Sequence, residues 1–159
     1  MQRRSLLLAA ASTLAAGPIA ALAAAPSPGR ALPVVQVWKD PGCGCCKDWV
    51  SHLQGEGFTV QLFDSGNTAM RQRLGMPAKF ASCHTARVGG YVIEGHVPAS
   101  EIRRLLAEKP RALGLAVPGM PVGSPGMDGA VYGGRQDPHD VLLVLADGSS
   151  RVYRSYFRT

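Results

Sequence analysis

Residues 34–53 read VVQVWKDPGCGCCKDWVSHL, and this stretch decides the fold because a strand, a turn and a helix follow one another in it. The β-branched and aromatic run at residues 34–38 predicts a buried strand. The Asp-Pro-Gly sequence at residues 40–42 predicts a turn, and a helix is expected to start near Cys43. One face of that helix carries residues spaced at i, i+3, i+4 and i+7, namely Cys46, Trp49, Val50 and Leu53.

The segments that follow predict an α/β fold. They are a strand at residues 58–63, a short helix at 68–74, a hairpin of strands 85–88 and 91–94 around Gly89-Gly90, and a helix at 98–109. The order β-α-β-α-β-β-α fits a thioredoxin-like core whose first helix begins at the cysteines. Residues 115–137 are rich in Gly and Pro and predict a long irregular loop. Residues 141–145 and 151–157 predict an appended C-terminal β-hairpin.

The composition fits a single globular domain, which we place at residues 34–159. The chain has 159 residues, of which 46% are hydrophobic and 18% are charged, and its formal net charge is +6. That length leaves no room for two large domains. The basic residues are scattered, so no dense basic stretch indicates a nucleic-acid partner.

Residues 1–23 have the pattern of a cleaved signal peptide. Arg3 and Arg4 precede an apolar stretch, and the small residues Ala21 and Ala23 offer a cleavage site. The two arginines also match part of a twin-arginine signal. The apolar run is shorter than the roughly 18–20 residues of a spanning helix, which disfavours a membrane anchor. After a linker at residues 24–33, we therefore expect a mature protein without a membrane segment in an oxidising compartment.

All four cysteines lie in two places: residues 43–46, Cys-Gly-Cys-Cys, and Cys83, which His84 follows. An even number of cysteines in an exported chain fits structural disulfides, but three thiols within four residues close only very short loops. Clustered thiols at a helix N-terminus, which lowers thiol pKa, are typical of a site for Cu(I), Zn(II) or an iron–sulfur cluster. In a thioredoxin-like arrangement the segment before the third strand faces this helix N-terminus, so Cys83 is expected to join the cluster.

Methionines and histidines supply further candidate ligands. Met120 and Met127 lie in a Gly/Pro-rich loop, and thioethers favour Cu(I), although packing over the core is an equal alternative. His96 precedes a predicted helix and is expected to be an exposed loop residue, with a role behind the metal ligands as the alternative. The remaining histidines are expected to be polar surface residues: His52 and His139.

Four motifs together resemble the CopG-type copper-resistance family, a group of exported metal-binding proteins. They occur in order within residues 34–157: VWKDPGCGCCK at 37–47, SCHT at 82–85, EGHVP at 94–98, and the Gly- and Met-containing loop at 119–127. The resemblance implies a thioredoxin-like fold, a periplasmic location and a cysteine-based copper site. Its implied ligands are Cys43, Cys45, Cys46 and Cys83, with His84, Met120 and Met127 nearby. We expect copper ions and other periplasmic copper-handling proteins as partners.

Three functions remain open at this point. The first is a copper-binding protein that sequesters Cu(I), transfers it, or cycles it between oxidation states; bridging sulfur would allow several copper ions. The second is a thiol–disulfide oxidoreductase that uses Cys43 and Cys46 as a C-x-x-C pair, although Cys45 between them invites disulfide reshuffling. The third is an iron–sulfur or zinc protein. Whether the chain is an enzyme is left open.

Overall fold

The computed structural model describes residues 31–158. The predicted signal peptide at residues 1–23 lies outside the described residues, as does most of the predicted linker. Within residues 31–158, no helix has both the length and the apolar character needed to cross a membrane.

Seven strands and three α-helices make up the described part of the chain. In order they are β1 (Val35–Lys39), α1 (Gly44–Gly55), β2 (Val60–Phe63), α2 (Asn67–Arg73), β3 (His84–Val88), β4 (Tyr91–Glu94), α3 (Ala99–Glu108), β5 (Gly114–Ala116), β6 (His139–Val144) and β7 (Ser150–Tyr156). Single 3₁₀ turns occur at Ala78–Phe80 and Ala130–Tyr132. The predicted order of elements from β1 to α3 is the observed order, and the mixed α/β class is confirmed.

All seven strands form one sheet in the order β2-β1-β3-β4-β5-β6-β7. The pairs β1/β2 and β4/β5 are parallel, and the other neighbouring pairs are antiparallel. Because β1 and β3 are antiparallel neighbours, the C-terminal end of β1 lies beside the start of β3, and Lys39 pairs with His84. This register brings the turn before α1 next to the segment that precedes β3.

The short strand β5 was not predicted, because its residues lie at the start of the segment expected to be irregular. Gly114 pairs with Val92 of β4 and Val144 of β6. A Cβ atom at Gly114 would overlap the carbonyl oxygen of Val92, so this close strand contact requires glycine. The C-terminal hairpin forms as predicted, but β5 joins it to the rest of the sheet, so it extends that sheet and is not a separate appendage.

Two apolar clusters cover the sheet. The larger cluster includes Trp49 and Leu53 of α1, Ile102 and Leu105 of α3, and Leu115 of β5, all with no exposed surface. A smaller cluster contains Met76, Phe80, Val92, Ala116 and Val144. Adjacent strand residues such as Leu115 and Ala116 point to opposite faces, so the two clusters lie on opposite sides of the sheet. The helix α1, which carries the cysteines, is thus fixed by its apolar face.

Candidate metal centre

The first cysteines are placed by the start of α1. Cys43 is the N-cap residue in an extended conformation, and its N–H donates to the Asp40 carbonyl across 3.1 Å. Cys45 and Cys46 follow in the first turn. Cys43 and Cys46 form a disulfide with a Cα–Cα distance of 5.4 Å, whereas Cys45 is a free thiol. Cys46 is buried on the core face of α1, and Cys43 and Cys45 are half-buried.

Cys83 completes the cluster from the segment before β3, which lies next to the turn before α1. It is a free, half-buried thiol one residue before β3. Its sulfur lies 4.0 Å from that of Cys45, and the Cys45 sulfur lies 3.6 Å from that of Cys43. The sulfur atoms of all four cysteines lie within 4.8 Å of one another. The structure therefore brings together the four cysteines that the sequence analysis singled out.

Two buried histidines adjoin Cys83. The Cys83 sulfur lies 3.4 Å from Nδ1 of His84 and 3.1 Å from Nε2 of His96. The three residues form a second group whose ligand atoms lie within 4.8 Å of one another. Among the described residues, Nε2 of His84 has no hydrogen-bond partner although it is buried. The other nitrogen of this ring, Nδ1, lies beside clustered sulfur, and imidazole together with thiolate ligands suits copper or zinc.

The expectation that His96 is an exposed loop residue is wrong. His96 has no exposed surface, and its Nδ1 lies 2.8 Å from the Pro125 carbonyl oxygen. The turn that buries it depends on Gly95, which has φ +69°; a Cβ there would lie 2.5 Å from the Val117 carbonyl oxygen. The Glu-Gly-His sequence at the end of a strand is the local signal for this turn, but the contact with Pro125 is long-range.

Burial controls protonation at the centre. Burial, followed by the neighbouring Cys45, raises the pKa of the Cys83 thiol to about 12. Burial also lowers the pKa of His84 well below its usual value, and it lowers that of His96. At neutral pH the apo site therefore holds neutral imidazoles and a protonated Cys83 thiol. A cation that binds the Cys83 sulfur must therefore displace its proton.

The methionine loop lies against α1, but its two methionines differ. At Gly126, a Cβ atom would lie 2.6 Å from the Cys45 carbonyl oxygen, so the loop contacts the backbone of the cysteine turn. Met127 is buried, and its sulfur accepts a hydrogen bond from the Tyr132 hydroxyl across 3.2 Å. Met120 is 51% exposed and lines a cleft of about 490 Å³.

The other two histidines lie in structural positions. His52 is half-buried, and its Nε2 accepts a hydrogen bond from the N–H of Ala99 at the start of α3. His139 is the first residue of β6 and stacks on Tyr156. Both are more buried than expected, because each ring packs against a neighbouring element.

The chain is similar in sequence to one described family and to two solved structures. A sequence family described as a protein of unknown function, DUF411, matches residues 80–127, which include Cys83, His84 and the methionine loop. Two solved structures match, named copper resistance protein CopG, form 1 and form 2. Each is 43% identical to this chain, and each alignment covers 79% of this chain and 98% of the other, with a TM-score of 0.72. A search of curated proteins gave no match.

Proposed function

The chain belongs to the CopG family of copper resistance proteins, and from this membership we propose that it binds Cu(I) at the cysteine cluster. The observation that carries the proposal is the convergence of four cysteine sulfurs within 4.8 Å. Thiolates favour Cu(I) over harder cations. Sulfur atoms this close together can each bridge two metal ions, so the site suits more than one Cu(I). The proposed ligands are Cys43, Cys45, Cys46, Cys83 and His84, together with His96.

Copper uptake at this site involves protons and electrons. Because the Cys83 thiol is protonated before copper binds, the binding of Cu(I) to its sulfur releases that proton. The neutral rings of His84 and His96 offer lone pairs without losing a proton. The Cys43–Cys46 disulfide contributes thiolates only after two-electron reduction to two thiols. Copper loading should therefore require a reductant and should acidify an unbuffered solution.

Family membership also supports three further proposals, which concern the methionines, the core and the location of the protein. We place Met120 and Met127 as auxiliary copper ligands, with the Tyr132 hydroxyl released from Met127 when its sulfur binds metal. We also propose that the elements from β1 to α3 form a thioredoxin-like core. Residues 1–23 direct export to the periplasm, where other copper-handling proteins exchange copper with the chain.

A second candidate function is thiol–disulfide exchange. It is favoured by the disulfide at the start of α1, in which Cys43 is half-buried and Cys46 is buried. A substrate dithiol would pass two electrons and two protons to this disulfide, yielding a substrate disulfide and two protein thiols. The free Cys45 sulfur, 3.6 Å from Cys43, competes for that disulfide. The reverse step, in which the reduced Cys43 and Cys46 thiols pass two electrons and two protons to a disulfide, is assayed with insulin; rapid insulin reduction by the reduced, metal-free protein would favour this function over copper binding.

Competition with a Cu(I) chelator tests the copper proposal. Reduced, oxygen-free protein is titrated with Cu(I) in the presence of the chelator, and copper bound per chain is measured. Cys45→Ser and Cys83→Ser each remove a sulfur that lies within 4.0 Å of another, and each should lower the affinity. His52→Gln, which changes an imidazole outside the cluster, serves as the matched control. Equal affinity in wild type and in both serine variants would contradict the proposal. Visible absorbance of the purified protein would instead indicate an iron–sulfur cluster, and bound zinc would be colourless.

A further inference from the structure

The backbone around Cys83 is held by side chains from α2 and β4. Glu94 Oε1 accepts a hydrogen bond from the Ser82 N–H across 2.8 Å. Arg71 Nη2 donates to the Ser82 carbonyl oxygen across 2.7 Å, and Asn67 Nδ2 donates to the Cys83 carbonyl oxygen across 3.0 Å. Three backbone polar groups of Ser82 and Cys83 are therefore bonded to side chains that come from two other elements.

Arg71 and Glu94 act as one unit. Arg71 Nε donates to Glu94 Oε1 across 2.9 Å, and the Thr85 hydroxyl donates to Glu94 Oε2 across 2.7 Å. Arg71 is 8% exposed and Glu94 has no exposed surface. The guanidinium thus uses one nitrogen for the carboxylate and another for the Ser82 carbonyl, a geometry that the single ammonium of lysine does not reproduce.

Stability alone is a weak reason for such a pair. Removing two charges from water costs free energy that their mutual attraction often does not recover. A protein with apolar residues of similar volume at the same positions is frequently as stable. Here the pair does something that an apolar pair cannot do, because it donates to and accepts from the backbone of Ser82. The same strand end also places His96, two residues after Glu94, with Nε2 at 3.1 Å from the Cys83 sulfur.

We propose that Arg71, Glu94 and Asn67 are positioning residues that fix Cys83 against Cys45 and His96 in the cysteine cluster. The inference rests on the proposed function for its copper readout, but the placement of Cys83 is testable without copper. Since Cys45 and Cys46 are held by α1, Cys83 is the sulfur ligand whose position depends on these three side chains. Without them, the segment before β3 loses its bonds at Ser82 and Cys83.

The copper-free experiment measures cross-linking of Cys45 to Cys83. In a Cys43→Ser/Cys46→Ser background, only these two thiols remain, 4.0 Å apart between sulfurs. Diamide oxidises them to a disulfide and takes up their two electrons and two protons. Adding Arg71→Met should slow this reaction roughly tenfold or more, because misplacement by about 1 Å is enough for such losses. Arg104→Met, which removes an exposed ion pair on α3, is the matched control and should not slow it.

The copper experiment uses the same chelator competition. Arg71→Met should weaken Cu(I) binding by about 10- to 100-fold, the range typical of residues that orient metal ligands. Arg71→Lys should lie between Arg71→Met and wild type, and Arg104→Met should match wild type. If Arg71→Met does not fold, Arg71→Lys and Asn67→Ala decide the question in both assays, because each leaves part of the network in place.

The outcomes are distinct. Slower cross-linking in variants that retain the wild-type unfolding transition supports the positioning role. Cross-linking at the wild-type rate in the folded variants overturns it, whatever the copper result. Failure of the wild-type chain to bind Cu(I), combined with slow cross-linking in the variants, would overturn the proposed copper function and leave the positioning role supported.

Discussion

Replacing Gly126 by alanine tests the contact between the methionine loop and the cysteine turn. Gly126 has φ +85°, and a Cβ atom there would lie 2.6 Å from the Cys45 carbonyl oxygen and 2.7 Å from the Trp49 amide nitrogen. Both are backbone atoms of α1, and Trp49 has no exposed surface, so the helix cannot move aside without disturbing the core. The loop must therefore lift away from α1.

The expected loss of stability has two parts. An L-residue in the left-handed region costs roughly 1–2 kcal/mol. Overpacking against a fixed backbone adds about 1–3 kcal/mol. Gly126→Ala should therefore lower the free energy of unfolding by about 2–5 kcal/mol, a large fraction of the roughly 5–15 kcal/mol of a typical domain. Urea unfolding of the reduced, metal-free protein measures this value.

Gly129→Ala is the matched control in the same loop region. Gly129 has φ −66°, and a Cβ there would meet nothing within 4 Å. Alanine is therefore expected to leave the free energy of unfolding unchanged or to raise it by up to about 1 kcal/mol. If the free energies of unfolding of the two variants differ by less than about 0.5 kcal/mol, the inferred close contact between the loop and α1 is refuted. Copper affinity should also fall in Gly126→Ala, because the neighbouring Pro125 carbonyl contacts His96.

Three further predictions concern the core, acid stability and metal binding. Trp49→Phe removes the indole N–H donated to the Val97 carbonyl across 2.8 Å, and urea unfolding should show a loss of about 1–3 kcal/mol; an unchanged midpoint would refute this. The N–H of Val122 lowers the pKa of Asp137 below 3.8, so the stability from this carboxylate is present at neutral pH and is lost as pH falls through the lowered pKa. Asp137→Asn should thus be less stable than wild type at pH 7, and the gap should close in acid; a gap independent of pH would contradict the assignment. Saturating Cu(I) should stabilise the reduced protein by about 2.7 kcal/mol at 100 times Kd, reversibly on chelation, and an unchanged melting temperature would count against binding to the folded state.

Local patterns explain why α1 and its cysteines were predicted. Four apolar residues at helical spacing and a turn sequence before Cys43 are features of adjacent residues, and they do not depend on distant contacts. The approach of Cys83 followed from the predicted topology, and β1 does pair with β3 so that Lys39 faces His84. Sequence reasoning succeeded here because the antiparallel pairing of β1 with β3 brings these two segments together.

The features that were missed depend on long-range packing. The strand β5 has three residues, and its identity comes from pairing on both sides with β4 and β6. His96 is buried through Pro125, 29 residues away. Nothing local marks Arg71 and Glu94 as a buried pair, because charged residues in short helices and strands are usually exposed. These contacts become visible only once the sheet register is known.

Copper content together with thiol titration of the wild-type chain tests the central claim most directly. The protein is purified without oxygen and without added reductant, and copper per chain is measured beside the number of reactive thiols. We predict at least one copper ion per chain, with the four cysteines protected until a strong chelator removes the metal. A metal-free chain that keeps a Cys43–Cys46 disulfide, and that takes up no Cu(I) after reduction, would contradict it.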